Sequence, residues 1–271
     1  MIPILHVASF ALYGIAGALL GVSLAREARR LTVVAMVVFA VGLGVHGLGL
    51  AEFASTWDQL PLVGLGPSLS TLAFLVGLGC VVAATLGHAS TVGLVLVPIV
   101  AALTAVAAAV GIAPNGDPTA YRGGWGLLHV IFAFVGLTGL AVAFAAGLMY
   151  LLQFRELKSK HFGAVFRFFP PLETLDRLGR RGLLVGFPFL TLALVLGWAW
   201  TVSFNEPSAP GTPKLVWVAA IVGVFLSSLL ARTGAGRKAE RGALASVIGF
   251  VVVVVLYMIL RAQAAPEGAF L

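Results

Sequence analysis

The chain has 271 residues, 60% of them hydrophobic and only 10% charged, with a mean hydropathy of +1.07. A soluble domain carries roughly 25% charged residues, so a water-exposed surface cannot be built from this composition and most of the exterior must face lipid. The formal charge of +7 would suggest nucleic acid in a soluble protein, but its placement along the chain points to membrane orientation; the single cysteine, Cys80, excludes a disulfide framework and a cysteine-based metal site.

A transmembrane helix needs about 20 mostly apolar residues. Eight runs qualify, at residues 3–24, 31–50, 67–86, 92–113, 125–152, 183–204, 215–231 and 243–260. The first is too long for a signal-peptide core and has no basic segment ahead of it, so it reads as a retained span. Barrel strands alternate in polarity and these runs do not. The expected fold class is therefore an all-α integral membrane protein, a single membrane domain over residues 1–271 built as a bundle of about eight transmembrane helices. With the N-terminus outside, the inner loops collect fourteen of the seventeen Lys and Arg residues, while the ten acids divide evenly between the two sides. That is the positive-inside pattern, and it predicts that both termini face outward.

One long inner connection, 153–182, is expected to be a cytoplasmic loop. Pro170 and Pro171 interrupt it, and Leu172, Leu175 and Leu178 share one face of a short amphipathic helix with Glu173–Arg177 and Asp176–Arg180 as i,i+4 pairs. Such a helix either lies on the membrane surface or is a solvated connector.

Ionisable groups inside a bilayer are costly and mark function. No Asp, Glu, Lys or Arg lies deep in a predicted span, which argues against a proton pump, a charge-coupled transporter or an intramembrane protease. Histidines remain. His6, His46 and His129 each fall about one turn, roughly 6 Å, from the outer end of helices one, two and five. Neutral imidazole is a common ligand of metals and haem iron, so these three are the candidate metal ligands. On a helical wheel His6 lies with Phe10, Gly14, Gly17 and Gly21, His46 with Gly42, Gly49 and Phe53, and His129 with Trp125, Phe132 and Gly136. Each glycine strip lets either a flat macrocycle or another helix approach closely. All five tryptophans map to the outer side, either as an interfacial belt or as a platform for a planar ligand. Arg122 and Lys214 open helices five and seven on that side, as propionate partners or as snorkelling anchors. No Ser/His/Asp set, HExxH motif or phosphate-cradling glycine loop is present, and neither an enzyme nor a nucleic-acid partner is expected.

From Trp125 onward the chain resembles the cytochrome c assembly superfamily, and more narrowly the HemX/YpjD-like branch of CcsA-type membrane proteins. The matching features are Leu128-His129-Val130, the basic connection, Phe169-Pro170-Pro171-Leu172-Glu173 with Leu175, and Gly186-Phe187 with Leu190-Thr191-Leu192 and Gly197. Pro213-Lys214 with Trp217, and Ile248-Gly249-Phe250 with Tyr257, complete the set. The resemblance implies haem handling, with His129 as the external-side ligand of haem b and Lys214 and Trp217 as remnants of a WDPK-type segment. The tryptophan-rich loop ahead of that segment is reduced to residues 205–212, Thr212 replaces its aspartate, and no outer histidine follows helix eight. These departures favour a haem-binding accessory role over haem transfer to an apocytochrome.

The expectation is a multi-pass protein of a bacterial inner membrane that binds haem b through His129 with His46 or His6, near Trp125, Arg122, Lys214 and Trp217. Its expected partners are haem, lipid and other membrane subunits or biogenesis proteins. One alternative is a non-catalytic scaffold subunit of a respiratory or biogenesis complex. Another is a small-solute permease, whose broken half-helices would centre on Pro98 and Pro188.

Overall fold

The computed structural model describes residues 1–62, 64–114, 124–160, 162–203, 223 and 237–264, without the side chains of residues 198, 200–203, 237–238 and 256–264. Among these residues every regular element is helical: α1 (Ile2–Ala25), α2 (Arg29–Trp57), α3 (Leu65–Thr85), α4 (Gly93–Val110) preceded by a 3-10 turn at Ser90–Val92, α5 (Trp125–Ser159), α6 (Ala164–Phe168), α7 (Leu172–Ser203) and α8 (Arg237–Ala264). Six helices among the described residues are long and apolar enough to cross a membrane, ending with Trp125–Ser159 and Leu172–Gly197. Apart from Gly223, the predicted span at 215–231 falls outside the described residues, and that at 243–260 lies within α8.

The chain divides into two compact units, Met1–Pro118 with Leu152–Leu178, and Thr119–Leu151 with Gly179–Leu271. In the first, α1 packs along α2 and α4, and α3 packs on α2 and α4. The buried face of α1 reads Ile2, His6, Ser9, Tyr13, Ala16, Leu20 and Ser23, alternating steps of four and three. That 3.5-residue repeat is a coiled-coil seam. It answers to Ala35, Phe39, Gly42, His46, Gly49 and Phe53 on α2. In the second unit Leu140, Ala143, Leu183, Leu190 and Val253 form the core. There α5 and α7 approach so closely that a Cβ on Gly139 would stand 2.7 Å from the Gly186 nitrogen. Small residues at such crossings replace a hydrophobic driving force that lipid does not supply.

Two elements differ from the sequence reading. The amphipathic stretch at Leu172–Leu178 is the opening of α7, which continues without a break to Ser203. Leu175 and Leu178 are buried and the Glu173–Arg177 pair forms at 3.8 Å. Glycine lowers helix propensity by only about 1 kcal/mol, so Gly179 and Gly182 do not stop a helix held by packing on both sides. Pro188, near the start of the predicted span at 183–204, therefore sits mid-helix and deprives the Leu184 carbonyl of its usual donor. Both α4 and α7 run through their prolines, so neither Pro98 nor Pro188 marks a broken half-helix.

Candidate functional site

His6, one turn into α1, and His46, on α2, face each other across the seam with ring centroids 5.1 Å apart at 72°. His6 Nδ1 lies 2.9 Å from the Ile2 carbonyl, and His6 Nε2 lies 2.8 Å from Ser70 Oγ on α3. The same hydroxyl lies 2.8 Å from His46 Nε2, and His46 Nδ1 lies 3.0 Å from the Tyr13 hydroxyl. All four residues are buried. Among the described residues no acid or base outside the group is bonded to them, so both imidazoles are neutral, because a lone charge at this depth has nothing to offset its desolvation.

Neutrality fixes every proton. A carbonyl only accepts, so His6 carries its hydrogen on Nδ1 and donates it to Ile2, leaving a lone pair at Nε2. Ser70 must donate its one proton to that lone pair. His46 then donates from Nε2 to Ser70 Oγ and accepts at Nδ1 from the Tyr13 hydroxyl. The order runs from Tyr13 to His46, Ser70, His6 and Ile2, with each donor matched to one acceptor.

The glycines beside these rings belong to this arrangement. A Cβ on Gly42 would stand 2.9 Å from Tyr13 Cε1, and one on Gly49 would stand 3.1 Å from His6 Cε1. On α1 the expected strip is on the wrong face: Phe10 is 42% exposed, and Gly14 and Gly21 have nothing within 4 Å of an added Cβ. The i+4 and i+8 positions drift off a seam that repeats every 3.5 residues, so the neighbours of His6 are Ser9 and Tyr13.

His129 belongs to the second unit. Its Nδ1 donates to the Ala193 carbonyl of α7 at 2.6 Å. The ring lies over Gly197, where an added Cβ would come within 2.9 Å of His129 Cε1. The carbonyl sets the tautomer, so Nε2 holds the lone pair, and among the described residues nothing hydrogen-bonds to it. An imidazole whose other nitrogen donates to a backbone carbonyl is the usual form of a metal-ligating histidine. One turn earlier on α5, Trp125 is 54% exposed. Phe132 meets Phe189 edge-on at 5.4 Å, and Gly136 admits Leu190, so below His129 the α5 strip is a helix-packing seam.

Arg122, Lys214 and Trp217 lie outside the described residues. Among the described residues no three His, Cys, Asp or Glu side chains are grouped to hold a bare metal ion. Haem brings four nitrogen donors of its own and needs only one or two from the protein. Ser70 and Tyr13 escaped the sequence reading. The available signal was Tyr13 seven residues beyond His6 on one seam; for Ser70 there was none, since serines in such helices commonly bond their own helix.

Residues 4–264 match the family model described as cytochrome C assembly protein. The chain belongs to that family, and membership reaches past residues 125–260 to the His6–His46 half. It is similar to cytochrome c biogenesis protein CcsA of Guillardia theta, 31% identical over 159 residues that cover 51% of each chain. The Chlamydomonas reinhardtii protein of the same name is 26% identical over 139 residues, covering 51% of this chain and 38% of that one. The Nostoc punctiforme protein is 34% identical over 86 residues, covering 32% and 24%. The chain thus spans about half or less of the length of these relatives.

Proposed function

We propose that this multi-pass membrane protein binds haem b through His129 and handles haem as an accessory of cytochrome c assembly in a bacterial inner membrane. The observation that carries the reading is His129 itself: Nδ1 tied to Ala193, the ring resting on Gly197, and Nε2 left with its lone pair. Bound haem would supply an iron that accepts a histidine imidazole. In this reading Trp125 would cover part of the macrocycle, with Arg122 and Lys214 as cations for the propionates and Trp217 as a second aromatic face. A second ligand from His6 would have to free Nε2 from Ser70, and one from His46 would have to free Nδ1 from Tyr13. Family membership and the names of the relatives support a place in cytochrome c assembly; the shortened loop at 205–212 supports the accessory role.

The experiment is an absorption spectrum of the purified protein, oxidised and dithionite-reduced, after haem loading. A Soret band that is weakened in His129→Ala is the expected result. A spectrum unchanged in that variant overturns the ligand assignment, and a colourless protein that co-purifies with stable partners favours the scaffold reading. The open face of α1 at Gly14 and Gly21 is the feature that suits such a partner helix.

A further inference from the structure

We propose that the α5–α6 turn and the α1–α2 turn together form a docking surface for anionic phospholipid headgroups, with Phe162 as its apolar anchor. The height of this surface follows from α1, whose 24 residues span about 36 Å, little more than the hydrocarbon core. The end of α1 therefore lies at the membrane interface. Arg167 on α6 is tied to it through Glu27, Nη2 to Oε1 at 2.6 Å. Phe166, next to Arg167, pairs with Phe162 at a centroid distance of 4.8 Å. Phe162 is thus held at headgroup level, and it is 54% exposed.

Six exposed cations lie on or beside these two turns: Arg26, Arg29 and Arg30 at the first, Arg155, Lys158 and Lys160 at the second. Among the described residues none of the six is in an ion pair. The acids on these two turns, Glu27 and Glu156, are engaged elsewhere. Glu27 is paired with Arg167, and Glu156 accepts the backbone N–H groups of Gly163 and Phe166 at 3.0 and 2.9 Å, closing the turn on itself. Cations at the level of the phosphates, with an aromatic ring at the edge of the acyl region, match a lipid in both parts. An acidic protein would meet the charges and leave Phe162 uncovered.

The full chain, delipidated in mild detergent, is offered equal amounts of phosphatidylglycerol and phosphatidylcholine, and bound lipid is counted by native mass spectrometry. Phosphatidylglycerol should be retained preferentially. Lys158→Gln with Lys160→Gln should weaken its binding roughly fivefold per charge, Lys→Arg at both positions should keep it, and Phe162→Ser should weaken it at unchanged charge. Equal retention of the two lipids, or undiminished binding by the double Gln variant, overturns the proposal. So does displacement by millimolar inorganic phosphate, which marks a bare anion site, or by polyglutamate, which marks an acidic protein partner.

Discussion

His6 and His46 carry their protons on opposite nitrogens because both meet one hydroxyl, that of Ser70, and only one end of the series is a carbonyl. Nitrogen-15 spectra of histidine-labelled protein in lipid should show His6 and His129 protonated at Nδ1 and His46 at Nε2. The same tautomer on His6 and His46 would contradict the order. Tyr13→Phe should leave His46 as it is, since its tautomer is set from the Ser70 side, whereas Ser70→Ala should let His46 populate both forms.

Ser70→Ala also strands a donor on His46 and an acceptor on His6 in a dry interior. An unsatisfied buried polar group costs roughly 1–3 kcal/mol, and the two imidazoles can recover part of this by turning toward each other. Thermal unfolding in detergent should fall accordingly, and Ser70→Thr should restore most of the loss.

Volume separates the glycines of the first unit. Gly42→Val forces new atoms into the Tyr13 ring, and overpacking of this kind costs about 1–3 kcal/mol. Gly14→Val adds the same atoms to open space and should leave the unfolding temperature nearly unchanged. Equal effects from the two would mean that the α1–α2 seam is misplaced.

In the second unit, Gly197→Val pushes on the His129 ring and strains its bond to Ala193. The haem spectrum of that variant should shift or weaken toward that of His129→Ala, with the protein still folded by circular dichroism. An unaltered spectrum would separate His129 from the iron.

The Glu27–Arg167 pair is short but exposed on both sides. Glu27→Gln should therefore cost no more than about 1 kcal/mol of stability, and the loss should shrink further in high salt.

Much of this architecture was legible in the sequence, and its limits have physical causes. The first four helices lie close to their apolar runs because a run of that length has no alternative in lipid. Their ends were less visible: α2 continues past Leu50 to Trp57 and α5 past Leu152 to Ser159, since hydropathy marks where lipid ends and not where a helix does. The union of Leu172–Leu178 with the following span was hidden because no residue between them forbids a helix. His129 was readable as a candidate from depth and resemblance together. The pairing of His6 with His46 was readable only as shared depth, and their bridging through Ser70 depends on which face of α3 turns inward, which a single hydroxyl in an apolar helix does not disclose.

The seven-residue interval from His6 to Tyr13 has a consequence for how this chain can vary. Replacement of a residue within it keeps the angular phase of α1, but one inserted or deleted residue swings Tyr13 about 100° around the axis and away from its acceptor on α2. Side chains between these two positions are therefore exchangeable while their number is not, and a library of single-codon insertions across α1 should show a sharp window of intolerance there.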